Sequence, residues 1–409
     1  MTNPWRDDFP ILTQQVYGRS LVYLDNAATS QVPRQVLERI ILHYTTEHAN
    51  VHRGVHFLST ASTSAVEDVR AKTAAFLHAP SAKNIVFTQG TTDSIHLVCS
   101  GLEDRLNENA GVLVTALEHH SNFVPWQQAC LRKGAPFAVC PAPDGVPDLQ
   151  EMERLLAGGR YCLVAVTQVS NLTGTVYPVR EIADMTHRYG AVLLVDGAQG
   201  ILHLGADTEQ MDCDYYCFSG HKMLSPTGTG VLYGKTDALE MLRPVRSGGG
   251  MVDLVTLTRT TFDEIPQRLE AGTPNIAGII GMGAAIDYLM QHDLEQIRSY
   301  EAGLIAYTQQ QLDRIPSVHI LGHPVQRAGA VSFTVEGIHP YDIAAMVDKL
   351  GYAVRSGSHC AQPALRIFDV ETAVRVSPAF YNTMQEIDGF CDALRRVIRM
   401  MSRNSSASL

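Results

Sequence analysis

Ala191-Val192-Leu193-Leu194-Val195-Asp196-Gly197-Ala198-Gln199 is an apolar run that ends in an acid and a glycine turn. A run this short, aliphatic and closed by turn formers, reads as a buried strand. Runs of the same kind recur at Asn84-Ile85-Val86-Phe87-Thr88, Gly111-Val112-Leu113-Val114-Thr115, Tyr161-Cys162-Leu163-Val164-Ala165-Val166 and Gly230-Val231-Leu232-Tyr233. Between them, residues 148–156 and 179–189 carry apolar residues at helical spacing. Strands alternating with helices predict an α/β fold with a mainly parallel sheet covered by helices. Ligands of such sheets bind beyond the carboxyl ends of the strands. Gly90-Thr91-Thr92, Glu118-His119-His120, Ser170-Asn171 and Asp196 all fall there.

Further on, Ser219-Gly220-His221-Lys222 sets a lysine in a polar, glycine-containing turn. A lysine and a strand-end acid suit pyridoxal phosphate (PLP). The amine forms a Schiff base with its aldehyde, and the carboxylate keeps the pyridine nitrogen protonated so that the ring takes up electrons. Each residue alone has a plainer reading: a solvated charge for Lys222, a turn or cap for Asp196. Gly90-Thr91-Thr92 opens the helical stretch 93–102 and offers a phosphate backbone N–H groups, a helix dipole and hydroxyls; a simple N-cap is the alternative. His119, His120 and His221 belong to no H-x-x-x-H or H-x-x-E-H arrangement. The spacings His52/His56 and His319/His323 enclose a glycine and no Glu, so no metal is expected. An imidazole stacked on an aromatic cofactor ring suits His119 better.

At 409 residues the chain is long enough for two domains, and 45% hydrophobic with 18% charged residues is an ordinary globular composition. A net charge of −10, without clustered Lys and Arg, argues against nucleic-acid binding. No apolar run approaches the roughly 20 residues that span a bilayer. The N-terminus is too polar for a signal peptide, so a cytoplasmic location is expected. The 8 cysteines include no C-x-x-C pair and form no dense framework, which points away from disulfides and structural zinc.

Most of those cysteines sit in apolar runs, as Cys162, Cys213 and Cys217 do. Cys360 sits in Arg355-Ser356-Gly357-Ser358-His359-Cys360-Ala361-Gln362-Pro363, whose Gly, Ser and Pro mark a loop. A neighbouring His and a nearby Arg are both able to favour the thiolate. Two readings stand at this point: a nucleophile carried into a cleft, or an incidental cysteine in a surface turn. From about residue 294 the pattern changes to a long helix, a few strands (Ala330-Val331-Ser332-Phe333, Arg375-Val376-Ser377) and an amphipathic helix around 384–401, a smaller α+β unit. The expected organisation is an N-terminal segment, 1–20, packing with the small domain; a large domain, 21–293; the small domain, 294–401, carrying the Cys360 loop; and a disordered tail, 402–409.

Tyr23-Leu24-Asp25-Asn26-Ala27-Ala28-Thr29, Asn50-Val51-His52-Arg53-Gly54, Gly90-Thr91-Thr92, Glu118-His119-His120-Ser121-Asn122, Val195-Asp196-Gly197-Ala198-Gln199, Phe218-Ser219-Gly220-His221-Lys222, Glu270-Ala271-Gly272-Thr273-Pro274-Asn275 and 355–363 together resemble cysteine desulfurases. More narrowly, they resemble the SufS/CsdA group of class V aminotransferase-like, fold-type I PLP enzymes, in order from about residue 20 to about 385. The resemblance implies a seven-stranded-type sheet in the large domain. It implies Lys222 as the Schiff-base lysine, Asp196 on the pyridine nitrogen, Gln199 on the ring hydroxyl and His119 stacked on the ring. Thr91, Thr92, Ser219 and His221 would hold the phosphate, and Thr273 would reach the phosphate of the neighbouring subunit in a homodimer. Asn171 would line the site near substrate and ring. Arg375, with Arg355, would bind the substrate carboxylate, and Cys360 would be the catalytic cysteine.

The implied reaction converts L-cysteine to L-alanine, with a persulfide formed on Cys360 and handed to a sulfur-acceptor protein of the SufE, SufU or CsdE kind, for iron–sulfur cluster assembly. Ser358 departs from the His or Gln common at that position, and Leu269 from an aromatic. The absence of a longer glycine-rich insertion around Cys360 resembles the short-loop group rather than the IscS-like one. A selenocysteine lyase, another PLP enzyme of the same fold without sulfur transfer, and a PLP-less interaction protein are the alternatives.

Overall fold

The computed structural model describes residues 3–406. One sheet is built from β1 (Ile85–Thr88), β2 (Gly111–Thr115), β3 (Phe137–Cys140), β4 (Tyr161–Thr167), β5 (Val192–Asp196), β6 (Tyr215–Ser219) and β7 (Gly230–Gly234). Its order is β1-β7-β6-β5-β4-β2-β3. β7 runs antiparallel to both neighbours, and the remaining pairs are parallel. The expected mainly parallel, helix-covered α/β sheet is therefore what forms. Two of its strands, β3 and β6, are additions to the sequence reading.

Side chains on a strand alternate between faces. Leu193 and Val195 enter one core with Tyr216, Phe218 and Val231, whereas Leu194 enters another with Tyr215, Cys217 and Leu232. Helices Phe57–Phe76, Val179–Arg188 and Ile276–Met290 cover the first face; Thr91–Leu102 and Val124–Lys133 cover the second. Burial on both faces is why these strands are continuously apolar. Loss of water from such residues stabilises the fold by about 25 cal/mol per Å² of apolar surface.

A second sheet, β8 (Val318–Ile320), β9 (Val331–Val335), β10 (Arg355–Gly357) and β11 (Ala373–Val376), is antiparallel in the order β8-β9-β11-β10. Val331, Phe333, Val374 and Val376 pack on Leu312 of helix Leu294–Asp313 and on Phe390 and Leu394 of helix Met384–Ser406. That last helix continues beyond residue 401, where the sequence reading ended it, and 407–409 of the expected tail lie outside the described residues. Near the N-terminus, Phe9 packs 4.2 Å from the Tyr381 ring and 6.1 Å from that of Tyr288, and Arg6 pairs with Glu386 at 2.8 Å. Tyr288 belongs to the helix under the large sheet, so this segment touches both parts of the molecule.

Strand ends set the site. β7 starts at Gly230, paired with Thr88 of β1 on one side and Ser219 of β6 on the other. A Cβ on Gly230 would lie 2.4 Å from the Gly90 Cα, so only glycine lets the turn after β1 approach β6. Gly90 itself has φ 148°, a conformation that L side chains rarely adopt.

Candidate active site

A cavity of about 320 Å³ opens between the carboxyl ends of the parallel strands and the pair β10 and β11. The large sheet contributes Thr91 and Thr92 after β1, His119 after β2, Asn171 after β4, Asp196 with Gln199 at β5, and Ser219, His221 and Lys222 at β6. Arg355, Cys360 and Arg375 come from the other side. Every residue predicted for this site except Thr273 lines that one cavity. Thr273 lines a second cavity of about 930 Å³, which shares Thr91, Thr92, Ser219 and His221 with the first. Its segment is anchored by Glu270, which accepts from Arg70 Nη1 at 2.6 Å, Arg70 Nη2 at 2.9 Å and the Phe87 N–H at 2.6 Å.

Lys222 ends a one-turn 3-10 segment, Gly220–Lys222. The carbonyl of His221 accepts from the Ser30 N–H at 2.9 Å and the Thr29 hydroxyl at 3.0 Å, which holds the turn in place. Burial pushes the Lys222 amine down to about 8, with Asp196 opposing and Arg375 assisting. Asp196 is 3% exposed and accepts from the Ala198 N–H at 2.9 Å. Its carboxyl is raised by burial, against the pull of that bond and of Lys222. The hydroxyl of Ser219 accepts from the Thr91 N–H at 2.8 Å at the start of helix Thr91–Leu102. Gln199 donates to the Ala27 carbonyl at 2.7 Å.

Burial, together with Lys222, pushes the His119 imidazole down to about 3, so the ring is neutral. Its Nδ1 accepts from the Ser121 N–H at 3.1 Å, which leaves the proton on Nε2. Burial, then Arg375, brings His359 to about 3 as well. This corrects one expectation: His359 carries no charge with which to favour a thiolate, and only the arginines do.

The Cys360 segment is also less loop-like than its composition reads, with Arg355–Gly357 in β10 and helix Gln362–Ile367 following at once. His359 and Cys360 both adopt left-handed φ, 52° and 53°. Two bonds from the large sheet pin them, Asn171 Nδ2 to the His359 carbonyl and the His120 N–H to the Cys360 carbonyl, each 2.8 Å. Cys360 itself is exposed.

Among the described residues, the Arg375 Nε and His359 Nδ1 atoms lining this cavity are buried without a hydrogen-bond partner. Unpaired buried polar atoms are costly, and in a cavity they mark where a ligand completes the set. The donor set fits PLP: an amine for the aldehyde, a buried carboxylate for a protonated ring nitrogen, and hydroxyls at a helix N-terminus for the phosphate.

The family model for aminotransferase class-V matches residues 22–390. A cysteine desulfurase of Synechococcus elongatus is 45% identical over 96% of this chain, which spans 63% of that relative's length. One of an Enterobacter species is 43% identical over 97% of this chain and 98% of its own. The chain belongs to the cysteine desulfurases. The crystal structure of the Escherichia coli cysteine desulfurase CsdA superposes with a TM-score of 0.89 at 36% identity, covering 97% of this chain and 98% of that one. Cysteine desulfurases are PLP-dependent enzymes that take sulfur from L-cysteine. No helix among the described residues of this one is long and apolar enough to cross a membrane.

Two residues of this cysteine desulfurase's site escaped the sequence reading, although both stand in quoted motifs. Glu118, fully buried, accepts from the Thr115 hydroxyl at 2.6 Å, Asn122 Nδ2 at 2.7 Å and the Thr167 N–H at 3.1 Å. It thereby ties the His119 turn to the strand beside Asp196, while burial pushes its carboxyl up to about 8. Asp25 takes a bidentate grip from Arg355, at 2.8 Å to Nη2, and a 3.5 Å pairing with Arg375 Nη2. The available signal was an acid fixed inside Tyr23-Leu24-Asp25-Asn26, a stretch too polar for a strand core.

Proposed function

We propose that the cavity holds PLP and that this chain moves the sulfur of L-cysteine onto Cys360 and then to an acceptor protein, leaving L-alanine. The observation that carries the reading is the meeting of Lys222 and Asp196 with Cys360 and Arg375 in one cavity. When bound, the cofactor accepts the electron pair left at the substrate Cα once its proton departs. Asp196 would face the ring nitrogen, His119 the ring face and Gln199 the ring hydroxyl. Thr91, Thr92, Ser219 and His221 would hold the phosphate.

Arg375 would take the substrate carboxylate through its unpaired Nε, with Asn171 bordering the substrate. Lys222, released as a free amine, would carry the Cα proton. The Cys360 thiolate would attack the substrate sulfur, so that an S–S bond forms while the Cβ–S bond breaks and its electron pair returns to the carbon skeleton. The persulfide would then pass to a thiol of an acceptor protein, consistent with the exposure of Cys360. We place the reaction in a reducing, cytoplasmic milieu, in which the free cysteines stay thiols. Thr273, on the rim of the second cavity, would serve the phosphate of a second subunit in a homodimer, and the division near residue 294 would separate the two domains.

The test is incubation with L-cysteine, followed by alanine quantification and peptide mass spectrometry. The expected result is alanine together with one extra sulfur atom on the peptide containing Cys360. Alanine formed with no sulfur ever appearing there overturns the reading.

The depressed Lys222 amine adds a pH prediction. Only the neutral amine captures an aldehyde, so the rate at which the cofactor-free protein takes up PLP should rise about tenfold per pH unit below about 8 and level off above it. Absorbance stopped-flow between pH 6 and 10 reads this directly, and a flat profile contradicts it.

A further inference from the structure

Arg355 of β10 and Arg375 of β11 are directly opposite residues of an antiparallel pair, and both line the cavity. Opposite residues share a face of the sheet, and like charges so placed repel. Asp25 is the group between them. It accepts from Arg355 Nε on both oxygens at 3.1 Å and from Nη2 at 2.8 Å, and pairs with Arg375 Nη2 at 3.5 Å.

The backbone puts it there. Asp25 forms a bridge with Ser377, just past β11. The Ser377 N–H donates to Leu24 at 2.8 Å, and the Asn26 N–H to Ser377 at 3.1 Å. Arg375 is 3% exposed and spends Nη1 on the Asn171 carbonyl at 2.9 Å, which leaves Nε for a ligand. Deeper in the cavity, Lys222 and Asp196 offset one another.

Two guanidiniums and one carboxylate leave this subsite with a net charge of +1. One substrate carboxylate neutralises it, whereas a second would be buried without a counter-charge, which is strongly unfavourable. We propose that Asp25 determines substrate specificity by holding the carboxylate subsite at a single net positive charge, so that amino acids with one carboxylate are accepted and dicarboxylic ones such as L-aspartate are rejected. Asp25 is a positioning residue, acting through the two arginines. The proposal rests on the reading of Arg375 as the partner of the substrate carboxylate.

The charge count makes three variants of the PLP-loaded enzyme behave differently. Asp25→Asn raises the count to +2, and the affinity for L-aspartate should rise about tenfold relative to that for L-alanine, both read by absorbance titration without turnover. Arg355→Gln lowers it to zero, and the KM for L-cysteine should rise about tenfold more than kcat falls, because Asp25 now opposes the incoming carboxylate. The double variant restores +1, and should return both the aspartate-to-alanine ratio and the cysteine KM to within about threefold of the parent.

That recovery is what a merely structural Asp25 cannot produce. An unchanged aspartate-to-alanine ratio in Asp25→Asn, or a double variant no better than Arg355→Gln alone, overturns the proposal. Should Asp25→Asn fail to fold, Arg355→Gln carries the test by itself, and an unchanged cysteine KM overturns it. Arg375→Gln separates the underlying reading: unaltered L-alanine affinity in that variant removes Arg375 as the carboxylate partner, whatever the Asp25 variants do.

Discussion

Replacing Lys222 by Ala is expected to lower alanine formation from L-cysteine by on the order of 10³–10⁴, with the protein still folded. The loss is chemical because the turn carrying the side chain is made by backbone groups. The Gly220 N–H donates to Thr229 at 2.9 Å and the Met223 N–H to Gly220 at 2.7 Å, and neither bond involves the lysine side chain. Deletion removes a partly desolvated amine, and with it a charge that favours ionised Asp196, so the Asp196 carboxyl should move further up. The absorbance of covalently held cofactor should vanish, leaving PLP that dialysis removes. Lys222→Arg makes the sharper control. It keeps a cation near Asp196 but never offers a neutral amine at working pH, so it should be as inactive as Ala. Retention of more than about a tenth of the parent rate by either variant would remove Lys222 from the proton-transfer role.

What the sequence made legible follows from where burial is two-sided. β5 reads as a strand from Ala191 to Val195 because both faces are covered and every position is apolar. β3, Phe137–Cys140, is an edge strand only partly buried, and its short run carries no pattern that separates it from a loop. β6, Tyr215–Ser219, is fully buried, yet its aromatic and cysteine residues directly follow the acidic Asp212–Asp214 stretch and merge into the Lys222 motif, which hid the strand inside it. β10 contains Ser and Gly and forms only because β11 supplies its partner, which local composition cannot announce. The site residues were legible because they stand at strand ends. The role of Asp25 was not, because its partners lie far along the chain, at positions 355 and 375. The neutrality of His359 was hidden for a similar reason, since it comes from packing between the two sheets.

Replacing Cys360 by Ala should abolish sulfur transfer while leaving cofactor binding intact, with alanine formation falling on the order of 10² or more. Alanine keeps the Cβ, so the left-handed backbone at His359 and Cys360 carries the same strain, about 1–3 kcal/mol per residue, in parent and variant. The bonds from Asn171 and His120 that hold the segment reach backbone carbonyls and survive the change. Neither the lysine turn nor the phosphate-facing hydroxyls touch the deleted sulfur, so the absorbance spectrum of the PLP-loaded variant should match the parent's. What disappears is the thiolate, which Arg355 and Arg375 favour by charge and neutral His359 does not. Cys360→Ser tests that chemistry further: it nearly preserves volume and keeps a hydroxyl, but the hydroxyl does not ionise near neutrality and should be equally unable to take sulfur. The decisive comparison is sulfide and alanine release by the Ala variant in the presence of a small soluble thiol. Release at the parent's rate means that the substrate sulfur leaves by direct attack from solution, and Cys360 then has no part in breaking the Cβ–S bond. Release that stays at the depressed level, whatever the soluble thiol, assigns the sulfur's first stop to the one cysteine held between the two arginines and the cavity.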